Sequence, residues 1–360
     1  VPTLFDSLQV GDLLLPNRIL MAPLTRARSG ITRVPNALMA KYYEQRASAG
    51  LILSEATSVT PMGVGYADTP GIWSQEQVEG WKNVTSVVHR AGGRIFLQLW
   101  HVGRISHPMF LSGATPVAPS AIRPKGRVSL VRPETDYVVP RPLERPEIAG
   151  VIEAYELGAK NAHAAGFDGV ELHGANGYLI DQFLQDSTNH RTDDYGGPVE
   201  NRARLMLEVV DRLTSVWGPG RVGVHLAPRG DSHDMGDSNA VATFTYVARE
   251  LGRRKIAFLC AREHDGDGYI GPQLKQAFGG VYVANEGFSP ESAERAVGKG
   301  EADAVAFGKL FIANPDLPFR IARKAALNPW RSETFYRGGP DGYSDYPALS
   351  AAPQAIPQPA

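Results

Sequence analysis

Short apolar or β-branched runs alternate with amphipathic segments eight times along this chain, and no other feature limits its possible folds so strongly. The runs fall at residues 19–21, 51–54, 94–100, 169–172, 222–226, 255–260, 281–284 and 304–308. Between them apolar residues recur at intervals of three and four, as in Ile148, Val151, Ile152 and Tyr155, or Phe244, Val247, Ala248 and Leu251, which predicts helices buried along one face. Ser74 with Gln77 reads as a capping box, and Ser289 before Pro290 as a cap ahead of a first-turn proline. Strict alternation requires parallel strands joined by right-handed crossovers, and eight such units close a ring more readily than they extend an open sheet. The expected fold class is α/β, a (β/α)8 TIM barrel forming a single domain over residues 1–360. Residues 8–15, with Gly11-Asp12 at their centre, read as an N-terminal hairpin that closes the bottom of the barrel. Residues 106–146 hold eight prolines and little helical period, which predicts a long capping excursion after the third strand. The Pro/Ala-rich residues 347–360 are expected to form a loose tail.

The charge balance narrows the function classes. Lys plus Arg total 37 against 38 Asp plus Glu, so no global field draws the chain to nucleic acid or anionic lipid. No run approaches the roughly 18 apolar residues of a membrane span, and residues 1–12 do not read as a targeting segment. Cys260 is the only cysteine, which excludes an intrachain disulfide and cysteine-rich zinc sites and leads to an expected cytoplasmic location.

Barrel chemistry sits at the C-terminal ends of the strands. Pro23, Leu24 and Thr25 follow the first strand, Ala56 follows the second, and Gln98, Trp100 and His101 end the third. His173 and Asn176 leave the fourth, His225 lies in the fifth, and Gly287, Gly308 and Lys309 follow the last two. Glycines there let backbone amides approach a phosphate closely. His173 and Asn176, three residues apart, can converge as two donors on one oxygen, and Tyr178 can supply a phenolic proton. Gln98 and Trp100 alternate along one strand and share a face. Arg26, Arg28 and Arg33 read as a solvated basic cluster.

At these residues the chain resembles the old yellow enzyme family of flavin-dependent ene-reductases, notably the branch that reduces N-ethylmaleimide, pentaerythritol tetranitrate and glycerol trinitrate. The motifs are Asn17-Arg18 leading into Met21-Ala-Pro-Leu-Thr25-Arg26, then Gln98-Leu-Trp-His-Val-Gly-Arg104, His173 to Leu184, Arg191 to Gly197, and Phe307-Gly-Lys-Leu-Phe-Ile-Ala-Asn-Pro-Asp316. The resemblance implies noncovalent FMN, with Pro23, Leu24 and Thr25 against the isoalloxazine, Ala56 and Gln98 at its pyrimidine portion, and Gly287, Gly308 and Lys309 at the phosphate. It implies NADPH or NADH as reductant and small activated alkenes as oxidants, nitrate esters being a further class. His173 and Asn176 would bind the substrate oxygen, Tyr178 would protonate carbon, and Tyr66, Trp100 and Tyr343 would wall the pocket. The expected assembly is a monomer or homodimer.

Two positions depart from the family pattern. His225 stands where the family has an arginine beside the flavin, and with an ordinary pKa of about 6.5 its charge is expected to be lost within the physiological range. Glu286 sets an acid close to the implied phosphate. An alternative from another class is a metal-dependent hydrolase barrel, in which His101, His173, His225 and His264, all at or near strand ends, would bind zinc.

Overall fold

A computed structural model describes residues 1–264 and 266–349; Asp265 and residues 350–360, with most of the expected tail, lie outside the described residues. Eight parallel strands form its centre. In chain order they are β1 (Ile19–Met21), β2 (Ile52–Leu53), β3 (Ile95–Trp100), β4 (Gly169–Gly174), β5 (Val222–Leu226), β6 (Phe258–Arg262), β7 (Tyr282–Asn285) and β8 (Ala304–Phe307). Each pairs with the next, and β8 returns to β1 with Ala306 opposite Leu20, so the ring closes as a TIM barrel. Several strands end later than the sequence pattern suggests. β6 runs two residues past Cys260 to Arg262, and β4 two residues past Leu172 to Gly174.

The helices bury the faces that their periodicity predicts. The helix at Gln75–Arg90 starts at the Ser74/Gln77 capping box, and that at Pro290–Gly298 starts at Ser289. Arg145–Ala164 packs Ile148, Val151, Ile152 and Tyr155 inward, and Ala240–Arg253 does so with Phe244, Val247, Ala248 and Leu251. No helix among the described residues is long and apolar enough to cross a membrane.

A second core fills the ring itself. Because side chains alternate between faces, every second residue of a strand points to the barrel axis. The lower layer holds Leu20, Leu53, Phe96, Phe258 and Val283, sealed from below by Val10 and Leu15 of the hairpin Leu8–Val10/Leu13–Leu15. Two glycines make room for its phenylalanines: a Cβ at Gly223 would enter the Phe258 ring, and one at Gly169 the Phe96 ring. Two residues further along the same strands the inward positions turn polar, at Gln98, Glu171, His225 and Cys260. The excursion between β3 and the helix at Arg145–Ala164 packs Val128 and Tyr137 against Trp100, Val102 and Ile105, beside the upper mouth of the ring, and pairs Val117–Ala118 with Arg141–Pro142.

The glycine–phenylalanine fit predicts that Gly223→Ala destabilises the fold by about 1–3 kcal/mol through overpacking, read as a lower midpoint in urea unfolding. A midpoint equal to that of the parent would show that Phe258 moves aside freely.

Candidate active site

A cavity of about 970 Å³ opens at the C-terminal ends of the strands. Every strand end contributes: Pro23, Leu24 and Thr25 after β1, Ala56 after β2, Gln98 and Trp100 in β3, His173 in β4 with Asn176 and Tyr178 beyond it, His225 in β5, Arg262 in β6, and Gly287, Gly308 and Lys309 after β7 and β8. Tyr66, expected to wall the cavity, is not among its lining residues and lies behind Trp100 and Tyr178. It stacks on Trp100 with ring centroids 5.5 Å apart, and its hydroxyl is 2.9 Å from that of Tyr178.

The loop after β4 is fixed by its own hydrogen bonds. Asn176 and Gly177 take positive φ values of 59° and 77°, turning the chain sharply toward the short helix Leu179–Leu184. Asp181 Oδ2 accepts from the Gly177 amide at 2.9 Å, and Gln182 Nε2 donates to the Gly177 carbonyl at 2.8 Å. Tyr178 is thereby set edge-on to Trp100, at 5.0 Å between centroids, and to His173 at the same separation. Burial pushes the Tyr178 phenol above its ordinary pKa, so it keeps its proton.

His173 and His225 sit side by side in register on β4 and β5, yet their environments drive them apart. Burial, with His225, Arg262 and His233 nearby, holds His173 well below its ordinary pKa. Its Nδ1 accepts from the Ala175 amide at 3.3 Å, so the neutral ring carries its proton on Nε2 and offers a donor. For His225 burial also acts downward, but Cys260 and Glu171 outweigh it and raise the imidazole to about 10. Glu171 Oε1 is 3.5 Å from His225 Nδ1 and accepts from Gln98 Nε2 at 2.7 Å. The expectation that His225 loses its charge in the physiological range is therefore revised upward, because the sequence did not show that Glu171 faces it.

Three further expectations are corrected. Tyr343 does not wall the cavity: it is fully buried, stacked on Tyr42 with centroids 4.0 Å apart and covered by the Arg28 guanidinium at 4.6 Å. Arg26 and Arg28 are not a solvated face but are buried. Arg26 donates to the Gly342 carbonyl at 2.7 Å, Arg28 to those of Phe335 at 2.7 Å and Thr334 at 2.8 Å, and these bonds bring Phe335 and Tyr336 to the cavity in place of Tyr343. The four histidines of the hydrolase alternative do not converge either. His101 is buried with its Nδ1 taken by the Gly103 amide, and the His264 side chain is 67% exposed. The one group of metal-ligating types that gathers among the described residues is Glu171, His225 and Cys260. There Nδ1 lies 3.5 Å from Glu171 Oε1 and Nε2 lies 3.9 Å from Cys260 Sγ.

The donor set fits FMN. Gln98, its Nε2 spent on Glu171, keeps a carbonyl oxygen for a ring N–H, and the His225 Nδ1 that lies 3.5 Å from Glu171 makes no hydrogen bond among the described residues. At the far end the first amides of the helix Lys309–Ala313 lack intrahelical acceptors, and Lys309 has no carboxylate partner among the described residues. Glu286 does not oppose an anion there with a free charge, since Arg262 pairs with it at 2.6 Å. Sequence reasoning missed Arg262, Glu171 and Cys260. For the latter two, the signal available was the period of two along their own strands, Glu171 with His173 on β4 and Cys260 with Arg262 on β6.

A family model described as the NADH:flavin oxidoreductase / NADH oxidase family matches residues 3–328. The chain is 41% identical over 358 residues to 12-oxophytodienoate reductase 2 of Arabidopsis thaliana, covering 95% of each chain. Among solved structures, the old yellow enzyme homologue from Zymomonas mobilis superposes with a TM-score of 0.94 at 46% identity, covering 97% of this chain and 100% of that one. Morphinone reductase in complex with tetrahydroNAD gives a TM-score of 0.94 at 47% identity, over 98% and 99% of the two chains. The chain thus belongs to the NADH:flavin oxidoreductase / NADH oxidase family and is an FMN-dependent, NAD(P)H-consuming oxidoreductase of the old yellow enzyme type.

Proposed function

We propose that this enzyme reduces the C=C bond of alkenes conjugated to a carbonyl or nitro group, and that nitrate esters, which present a similar oxygen acceptor, serve as further oxidants. The observation that carries this reading is the meeting of a neutral, donor-bearing His173, the Asn176 carboxamide and a protonated Tyr178 phenol at one wall of the cavity. The names of the similar proteins, an oxophytodienoate reductase and a morphinone reductase, support an oxygen-bearing substrate.

Pro23, Leu24, Thr25, Ala56, Gln98 and His225 would hold the isoalloxazine of FMN, and Gly287, Gly308 and Lys309 its phosphate; bound there, it supplies a hydride taken from NADH or NADPH. His173 Nε2 and Asn176 Nδ2 bind the carbonyl or nitro oxygen and stabilise the negative charge that grows on it as hydride reaches the β-carbon. Tyr178 then gives its proton to the α-carbon. The Tyr66 hydroxyl, 2.9 Å away, donates to the phenolate that remains until a solvent proton restores it. Trp100 shapes the same wall, and His225 supplies positive charge at the floor of the cavity.

Two outcomes follow. Tyr178→Phe slows reoxidation of the reduced enzyme by cyclohexenone by about 10²- to 10⁴-fold and leaves reduction by NAD(P)H near the parent rate in stopped-flow experiments, because only the first of these steps needs a proton on carbon. Equal reoxidation by parent and variant would take Tyr178 out of the reaction. The second outcome concerns His225, which keeps its charge until the pH approaches about 10. The flavin midpoint potentials of the parent and His225→Arg accordingly run parallel from about pH 6 to 8.5, whereas Glu171→Gln lowers the imidazole's titration toward its ordinary value of about 6.5 and steepens the fall with pH. A steeper fall in the parent than in His225→Arg over that window would contradict the Glu171 pairing.

A further inference from the structure

Arg262 reaches the cavity from the last residue of β6, and the chemistry above leaves it without a role. Its guanidinium joins two residues of unusual backbone. Nη2 pairs with Glu286 Oε1 at 2.6 Å, and Nη1 donates to Asn176 Oδ1 at 2.8 Å. Glu286 has a φ of 84° and Asn176 a φ of 59°, in the left-handed region that L residues seldom adopt. The Asn176 main-chain oxygen is held as well, 2.6 Å from His233 Nδ1.

A carboxamide can turn over by half a rotation, exchanging a donor for an acceptor at the same place. With its oxygen toward the cavity, Asn176 would repel a substrate carbonyl. Arginine has donors only, so Arg262 can face Oδ1 and not Nδ2. The Asn176 Nδ2 group is then the polar atom left for the cavity, beside the His173 donor. We propose that Arg262, anchored by Glu286, is a positioning residue that locks the Asn176 carboxamide with its donor toward the substrate and so selects ligands bearing an oxygen acceptor there. This rests on the reading of His173 and Asn176 as the substrate-oxygen site. It also gives Glu286 a function: its carboxylate holds the guanidinium at the angle that reaches Oδ1.

The test is a double-mutant cycle on FMN-loaded protein, reading phenol affinity from the change in flavin absorbance. Arg262→Met is expected to weaken phenol binding roughly tenfold, the loss of one well-oriented hydrogen bond, and to have little further effect when Asn176→Ala is already present. Glu286→Gln, which loosens the anchor without touching Asn176, is expected to weaken binding by a smaller factor in the parent and not at all in Asn176→Ala. It keeps the test decisive if Arg262→Met fails to fold or to take up FMN. Equal losses from either substitution in both backgrounds, or no loss in the parent, would overturn the positioning role while leaving the site reading intact. Unchanged affinity in Asn176→Ala alone would overturn the site reading and this proposal with it.

Discussion

Closure of eight parallel strands into a ring fixes which side chains can meet, and everything at the site depends on it. With the ring shut, the register sets Gln98 opposite Glu171, and His225 between His173 and Cys260. None of these residues could find the others through local sequence, and none could leave the axis without turning its whole strand inside out. The apolar layer below them, with Phe96 and Phe258 filling the space opened by Gly169 and Gly223, keeps water from entering from beneath. The mouth above is the side left open for ligands, as the fold requires.

That layer converts two residues of one type into two different reagents. Among the described residues no carboxylate pairs with His173, so burial decides, and it is a neutral hydrogen-bond donor. His225, one strand away, faces Glu171 and carries charge. An arginine at the same place would need no such partner; a buried histidine keeps a charge only beside a carboxylate. Where the resemblance implies a fixed cation, this chain carries the pair of His225 and Glu171, and Glu171 ties that pair to Gln98.

Much of the fold was legible because it is local and periodic: the alternation of strands and helices, the capping box at Ser74, the cap at Ser289 ahead of Pro290, and the hairpin around Gly11-Asp12 all follow from residues within a few positions of one another. The strand-end residues Gln98, Trp100, His173 and His225 were legible for the same reason, since they lie in or beside apolar runs. What escaped was set at long range. Arg26 and Arg28 looked like a solvated cluster because their partners, the carbonyls of residues 334–342, stand over 300 positions away. The same bonds carry Tyr343 away from the cavity and bring Phe335 and Tyr336 to it. Arg262 escaped because a cation after an apolar run reads as a loop residue, whereas the last inward position of a barrel strand faces the ligand and can hold charge.

The central claim is that this cavity passes reducing equivalents from a nicotinamide to an alkene made electron-poor by an oxygen that His173 and Asn176 bind. Anaerobic reduction of the FMN-loaded enzyme with one equivalent of NADPH or NADH, followed by mixing with N-ethylmaleimide, cyclohexenone or glycerol trinitrate, tests it most directly. The account predicts rapid reoxidation by the two alkenes, with one equivalent of the saturated product formed per nicotinamide consumed. An enzyme that the nicotinamides reduce but that only oxygen reoxidises would contradict it.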